Sequence, residues 1–222
     1  ARFDRVCAYG LWGKQVLERS IGREVDWLPH GLDFNRFQPR DRVAARLVLG
    51  FQPDDKVVGM VATNQARKDY GVALSAFKEL RKKDDRYRMW IMVDDMIRHW
   101  NLYALIEDLG LSADVRVTLS GTVNDEQLSW HYSGCDVTIL PSAEGFGYPI
   151  VESLACGVPV LHSTYAGGAE LVQPEFRIEP LTCRLESVYN NVRPVFAVED
   201  WVEGIERVLA LEPAPEEYRR QV

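Results

Sequence analysis

Glu144-Gly145-Phe146-Gly147-Tyr148-Pro149-Ile150-Val151-Glu152-Ser153-Leu154-Ala155-Cys156-Gly157-Val158-Pro159-Val160 is the stretch around which the chain is organised. It follows a run of strand character, Asp136-Val137-Thr138-Ile139-Leu140, that gives out at Pro141-Ser142. It leads into a second apolar strand at Pro159-Val160-Leu161. A short helix is predicted between the two. Pro149 suits the first helical position, where its missing N–H costs nothing, and Gly147 or Tyr148 then serves as the cap. The N–H groups of Gly147, Tyr148, Ile150 and Val151 are expected to point out of the helix start, with the positive end of the peptide dipole behind them. Such a start is an anion site. Two glycines let backbone approach a ligand closely. Glu144, on the loop before the helix, and Glu152, in its first turn, place one carboxylate past the anion and one beside it.

Outward from this stretch, strands alternate with helices. Upstream, 57–62 is an apolar run of strand length, and 69–81 carries Val72, Ala73, Ala76, Phe77 and Leu80 as a helical stripe. Then come a strand over 89–93, a helix over 100–109 closed by Gly110, a strand over 115–119 and a helix over 125–133. Downstream, 159–162 reads as strand, 167–172 as a short helix and 176–179 as a last short strand. Residues 181–197 do not fit the alternation and read as an inserted loop or irregular strand. A final amphipathic helix over 201–211 is broken by Pro213-Ala214-Pro215 before a charged tail. This pattern predicts an α/β fold, a Rossmann-like parallel sheet with helices on both faces and ligands at the carboxyl ends of its strands.

Residues 4–30 stand apart as strand 5–9, helix 12–21 and strand 25–28. A lone β-α-β unit is too small to bury both faces of its own sheet, so it is expected to pack on the rest of the chain or on an absent preceding domain. Residues 29–40, rich in turn formers and charge, read as a hinge-like entry to the main domain.

Composition bounds the function. With 222 residues and 46% hydrophobic content the chain can bury a proper core, and 26 basic against 33 acidic residues give a net charge of -7. That balance argues against a general nucleic-acid or anionic-membrane surface. No run approaches the length of a membrane span, and Ala1-Arg2-Phe3-Asp4-Arg5 does not resemble a signal peptide. Cys7, Cys135, Cys156 and Cys183 lie far apart, with no zinc-ligand spacing, and read as reduced, mostly buried thiols of a cytoplasmic protein. The start at Ala1 fits a processed or excised piece of something longer.

The Glu144-x7-Glu152 motif resembles the signature of retaining glycosyltransferases of family 4. Pro29-His30-Gly31-Leu32-Asp33 with Phe37 and Pro39 is similar to that family's entry into its C-terminal domain. Ser120-Gly121-Thr122-Val123, Leu128, Tyr132, Cys135-Asp136-Val137, Pro141-Ser142 and Gly167-Gly168-Ala169-Glu170 also resemble it. The resemblance covers roughly residues 4–179. It implies the C-terminal half of a GT-B glycosyltransferase: residues 1–30 as the last β-α-β of a mostly absent N-terminal acceptor domain, and 31–222 as the nucleotide-sugar donor domain. Glu144 then touches donor-sugar hydroxyls and Glu152 the ribose. Backbone groups over Gly145, Phe146, Gly147, Tyr148 and Ile150 hold sugar hydroxyls and the distal phosphate. Lys68 matches the family's lysine for the leaving diphosphate and Arg67 stands beside it, but the arginine usual a few residues earlier is replaced by Ala62-Thr63-Asn64. Val123 offers backbone contacts to the base.

The resemblance further implies chemistry that needs no metal or other cofactor, a UDP- or GDP-sugar as co-substrate, and an unknown glycan, lipid or protein acceptor. Asp94-Asp95 reads as a turn with helix-start charge rather than a metal site. His30 lies at the presumed cleft entrance, while His99, His131 and His162 show no ligand spacing. Gly145-x-Gly147 lacks the third glycine of a dinucleotide fingerprint. Rival readings are a module that binds a nucleotide sugar without transferring it, a nucleotide-sugar epimerase, and a plain NAD-binding domain.

Overall fold

The computed structural model describes residues 3–186, 191–211 and 215–220. Its elements run β1 (Cys7–Ala8), α1 (Leu11–Ile21), β2 (Asp26–Trp27), α2 (Arg42–Val48), β3 (Lys56–Val61), α3 (Tyr70–Lys83), β4 (Tyr87–Val93), α4 (Leu102–Asp108) and β5 (Val115–Leu119). They continue with α5 (Asp125–Ser133), β6 (Val137–Leu140), α6 (Tyr148–Ala155), β7 (Val160–Ser163), β8 (Arg177–Ile178), β9 (Thr182–Glu186), β10 (Asn191–Val195), α7 (Val198–Ala210) and α8 (Pro215–Arg219).

Six strands form one parallel sheet in the order β5-β4-β3-β6-β7-β8. Connections leave β3 toward one edge and β6 toward the other, so the strand order reverses between those two. In open sheets of this kind the ligand crevice is expected at that reversal, at the carboxyl ends of the strands. The inner strands are apolar on both sides because helices cover both faces: all four residues of β6 are buried. Alternation along β3 shows the two layers, with Val58 and Met60 facing Tyr70, Phe77, Trp201 and Ile205 and Val57 facing Phe37, Phe51, Trp90 and Tyr132. Truncating Phe77 or Trp90, both fully buried, costs about 3–5 kcal/mol by loss of transfer energy plus a cavity.

Asp41, Asp69, Asn101 and Asn124 cap α2 to α5 through their side chains, and α5 has a full capping box with Gln127. No side chain caps α6.

Several expectations need correction. Helix α2, over residues for which no element was expected, carries little readable stripe: Val43, Leu47 and Val48 are exposed, while Ala45 and Arg46 are buried. Arg46 goes inside because its guanidinium meets Asp136 at 2.6 Å. Residues 181–197 contain an antiparallel hairpin, β9 with β10. The element at Gly167–Leu171 is a 3-10 helix. The charged tail holds α8, with Tyr218 buried; the break at Pro213-Ala214 lies outside the described residues. Cys135 and Cys156 are buried, but Cys7 and Cys183 are exposed. Among the described residues no helix is long and apolar enough to cross a membrane.

The β1-α1-β2 unit forms its own two-stranded parallel sheet. Helix α1 buries none of its residues, and Trp12, Val16 and Ile21 stay exposed. Among its ties to the main body is Glu170, whose carboxylate accepts the N–H groups of Leu11 (2.8 Å) and Trp12. A carboxylate on an N-terminal helix end is a favourable pairing.

Candidate active site

Two loops meet at the crevice, one after β3 and one after β6. The first is anchored by Asn64, which is fully buried. Its N–H donates to Asp94 Oδ1 (2.5 Å), its amide nitrogen to the carbonyls of Asp95 and Trp100 (both 2.8 Å), and its Oδ1 accepts the Trp100 N–H (2.9 Å). The stretch where the resemblance expects an arginine is therefore filled by a structural amide. Asp94-Asp95 is a turn: Asp95 Oδ1 accepts from Ile97 and Asp94 pairs with Arg98. It does not start a helix, since α4 begins after Asn101. Among the described residues no group of three or more His, Cys, Asp or Glu could hold a metal ion.

Arg67 and Lys68 read from sequence as the start of the helix that follows β3. They lie instead in a separate 3-10 turn, Ala66–Lys68, and Asp69 caps α3 after them. Asp69 has φ 40 and ψ 54, a left-handed conformation uncommon in a non-glycine residue. Asp69 thus gives α3 an acidic cap, and the turn sends both side chains across the crevice to the β6 loop.

There they converge on Glu144. Lys68 (4% exposed) and Glu144 (6%) are both buried. Lys68 Nζ donates to Glu144 Oε1, Ser142 Oγ donates to the same oxygen at 2.5 Å, and Arg67 Nη1 lies 3.4 Å from it. Arg67 is further held by the Ala143 carbonyl (2.6 Å) and Gln65 Oε1 (3.0 Å). All three donors act on Oε1; Oε2 takes none of them. Burial works to raise the Glu144 carboxyl, but the charges of Lys68 and then Arg67 outweigh it and hold the group below the usual carboxylate range. Burial lowers the Lys68 amine, with Glu144 opposing. Buried pairs of this kind contribute little net stability, yet removing one partner costs about 3–5 kcal/mol. One buried cation, Lys68, and one half-exposed cation, Arg67, serving a single carboxylate leave positive charge available at the crevice.

The start of α6 adds backbone donors. Gly147 is the cap at φ 95, and a Cβ there would come within 2.8 Å of Ile150 Cδ1, so a side chain at this position is strained and glycine is favoured. Tyr148 is the first helical residue and Pro149 the second. The Ile150 N–H is already donated to the Gly147 carbonyl at 2.9 Å and its side chain is fully buried. It is not a free donor, and the tight first turn is the reason. Glu152 falls in the second turn, since no acidic residue occupies the first. Tyr132 OH donates to Glu152 Oε2 at 2.8 Å. Burial raises the Glu152 carboxyl to about 6, with that hydrogen bond opposing. The two glutamates are therefore driven apart, Glu144 toward the charged form and Glu152 toward the neutral one.

The Gly167-Gly168 turn closes from behind. Gly168 N–H donates to the Glu144 carbonyl at 3.0 Å, and a Cβ on Gly167 would lie 2.1 Å from the Gly145 carbonyl oxygen. His162, fully buried, bonds through Nδ1 to the Leu140 carbonyl (2.8 Å), and burial lowers it to about 4. At the rim, His30 stacks on Tyr9 (3.8 Å) and lies 5.0 Å from both Phe146 and Tyr148.

Val123 is not brought to this cluster. It lines a separate groove of about 320 Å³ between α2 and α5, with Ala44, Val48, Gln127, Trp130 and His131. An apolar residue ahead of α5 finds its cover on α2. Ser142, Tyr132 and Glu170 were legible only as parts of motifs. Their roles at Glu144, Glu152 and the α1 start depend on contacts between distant segments.

A parallel sheet in this order, with an uncapped helix start and a pair of cations at the reversal point, is a Rossmann-like α/β domain. The chain belongs to the family described as glycosyl transferases group 1, whose model matches residues 41–222. A D-inositol 3-phosphate glycosyltransferase of Rhodococcus opacus (strain B4) is 32% identical over 177 residues, 75% of this chain and 39% of that protein. Sucrose-phosphate synthase of Thermosynechococcus elongatus superimposes with a TM-score of 0.79 at 20% identity, over 99% of this chain and 53% of that one. Anabaena HepE, solved with UDP-glucose, gives 0.72 at 19% identity, over 98% and 62%. The chain spans about two fifths of the length of the curated relatives it matches.

Proposed function

We propose that this chain is the donor half of a cytoplasmic, retaining glycosyltransferase, taking a sugar from a UDP- or GDP-sugar to a glycan, lipid or protein acceptor. Residues 1–30 are then the end of an N-terminal domain that forms the other wall of the cleft, and 31–222 hold the donor. The observation that carries this reading is the convergence of Lys68 and Arg67 on Glu144 beside an uncapped α6 start.

A diphosphate seated at the α6 start meets the Gly147 and Tyr148 N–H groups and the two cations. Glu144 Oε2 accepts hydroxyls of the donor sugar, and the Glu152 oxygen not held by Tyr132 accepts the ribose. As the bond between the anomeric carbon and the phosphate oxygen breaks, charge grows on that oxygen. Lys68 and Arg67 stabilise it more strongly than they stabilise the bound donor, which is where the acceleration arises. The acceptor hydroxyl bonds to the anomeric carbon on the same face and passes its proton to the departing phosphate oxygen. No step calls for a metal or other cofactor.

Calorimetry with UDP- and GDP-sugars, beside a transfer assay on the chain alone and on the two-domain protein, tests the reading. Binding by the chain with transfer only in the two-domain protein is expected. Tighter binding of NAD than of either sugar nucleotide, or release of an epimerised sugar nucleotide, overturns it in favour of a dinucleotide domain or an epimerase. Sugar-nucleotide binding with no transfer in the two-domain protein identifies a binding module.

A further inference from the structure

Arg193 stands on β10, more than a hundred residues from Lys68 in sequence, and is only 8% exposed. Its guanidinium is shared between two carboxylates. Nη2 lies 2.7 Å from Asp69 Oδ2, and Nη1 donates to Glu186 Oε1 at 2.6 Å from the paired strand β9. Among the described residues, the pair with Asp69 is the one ion pair through which this hairpin reaches the main sheet domain. Apart from Arg193 and Pro194 the hairpin buries little: Leu185 and Val192 are exposed, and Cys183 is too.

Asp69 is the residue directly after Lys68. Its Oδ1 accepts the Val72 N–H at 3.3 Å, so one carboxylate oxygen starts α3 and the other is gripped by Arg193. Its backbone is left-handed, a conformation that a residue with a side chain keeps only when its surroundings impose it. The same backbone angles set the direction in which the preceding residue leaves the turn.

We infer that Arg193 is a positioning residue for Lys68: by holding Asp69 in its left-handed conformation, it fixes the turn that delivers the lysine ammonium to Glu144 beside the α6 start. Glu186 keeps the other arm of the guanidinium in place. Its consequence for transfer rests on the donor-domain reading above; its effect on Lys68 does not. The hairpin, the part of the chain that broke the strand–helix alternation, thereby acts on the crevice without touching it.

Two measurements test this. In the full chain, acylation of each lysine with limiting amine-reactive reagent is read by peptide mass spectrometry. Arg193→Ala is expected to raise the Lys68 rate by about fivefold or more, because local opening exposes a buried amine. Lys78 and Lys82 should label as before, and Arg193→Lys should restore much of the protection. In the two-domain enzyme, Arg193→Ala is expected to lower kcat by about tenfold with little change in KM, since a misplaced group loses transition-state contact. In the Lys68→Ala background the same change should have no further effect. If Arg193→Ala does not fold, Asp69→Asn takes its place: asparagine tolerates the left-handed region and can cap α3, but weakens the pairing with Arg193. Unchanged Lys68 labelling in the folded variant overturns the inference, as do additive kinetic losses with Lys68→Ala. A wild-type chain that binds no sugar nucleotide sinks the donor reading, and the labelling result still decides the role of Arg193.

Discussion

Helices α5 and α6 both begin at the carboxyl side of the sheet, and their starts are built in opposite ways. At α5, Asn124 Oδ1 accepts the Gln127 N–H (2.9 Å), Gln127 Oε1 accepts the Asn124 N–H (2.9 Å), and Asp125 and Glu126 sit in the first turn. At α6 the cap is a glycine, no side chain accepts from the first turn, and no acidic residue faces the dipole there. Both ends carry the same partial positive charge. Where the chain supplies its own oxygens, the helix end is structural. Where it withholds them and sets Lys68 and Arg67 nearby, the proposed donor reading has the end meet oxygens that come from outside.

The largest effect that could break this contrast comes from the cations. Lys68→Ala in the two-domain enzyme is expected to lower kcat by about 10²–10³-fold, the loss usual for a group that stabilises a developing oxyanion. A change of less than threefold, measured at saturating donor, removes Lys68 from the chemistry.

Gly147→Ala probes the α6 start itself. A residue with a Cβ at φ 95 costs about 1–2 kcal/mol, which lowers Tm by about 2–4 °C per kcal/mol in a chain of this size. Donor affinity should fall with it by roughly tenfold. Unaltered affinity in calorimetry places the anion elsewhere.

The pH dependence of binding sharpens the role of Glu152. Its carboxyl is raised to about 6 in the free protein, so it is largely protonated at pH 5 and accepts fewer hydroxyl hydrogen bonds. Donor affinity is expected to rise from pH 5 to pH 7.5 by up to about tenfold, with Glu152→Gln flattening the profile. The stability sign is opposite. Between the unfolded carboxylate value and about 6 the folded state binds more protons than the unfolded one, so this group's contribution to stability falls as pH rises through that window. A profile unchanged by Glu152→Gln assigns the pH dependence to another group.

The smallest effect belongs to the closed helix end. Asn124→Ala should destabilise the fold by about 1 kcal/mol through loss of the cap and leave donor affinity unaltered. A loss of affinity there would erase the distinction between the two helix starts.

Much of the sheet was readable because β3, β4 and β6 are apolar on both faces, and their runs survive any error in helix boundaries. Helix α2 was not, because its exposed positions are Val43, Leu47 and Val48 while its buried ones are Ala45 and an arginine paired with Asp136. The hairpin escaped for a related reason: Thr182–Glu186 has no buried residue, so no alternation of burial marks it. At the site, the helix start and both glutamates were legible from local spacing. That Ile150 is spent inside its own turn, and that Val123 lines another groove, were not.

From residues 144–160 alone follow a strand, a glycine-capped helix start and two carboxylates one helical stretch apart, because cap geometry and backbone freedom are local properties of the chain. Tertiary structure decided which oxygen of Glu144 is occupied, which N–H groups are left over, and that cations 76 and 77 residues away serve that carboxylate. Those outcomes depend on the reversal of strand order between β3 and β6, which brings two loops distant in sequence to the same crevice.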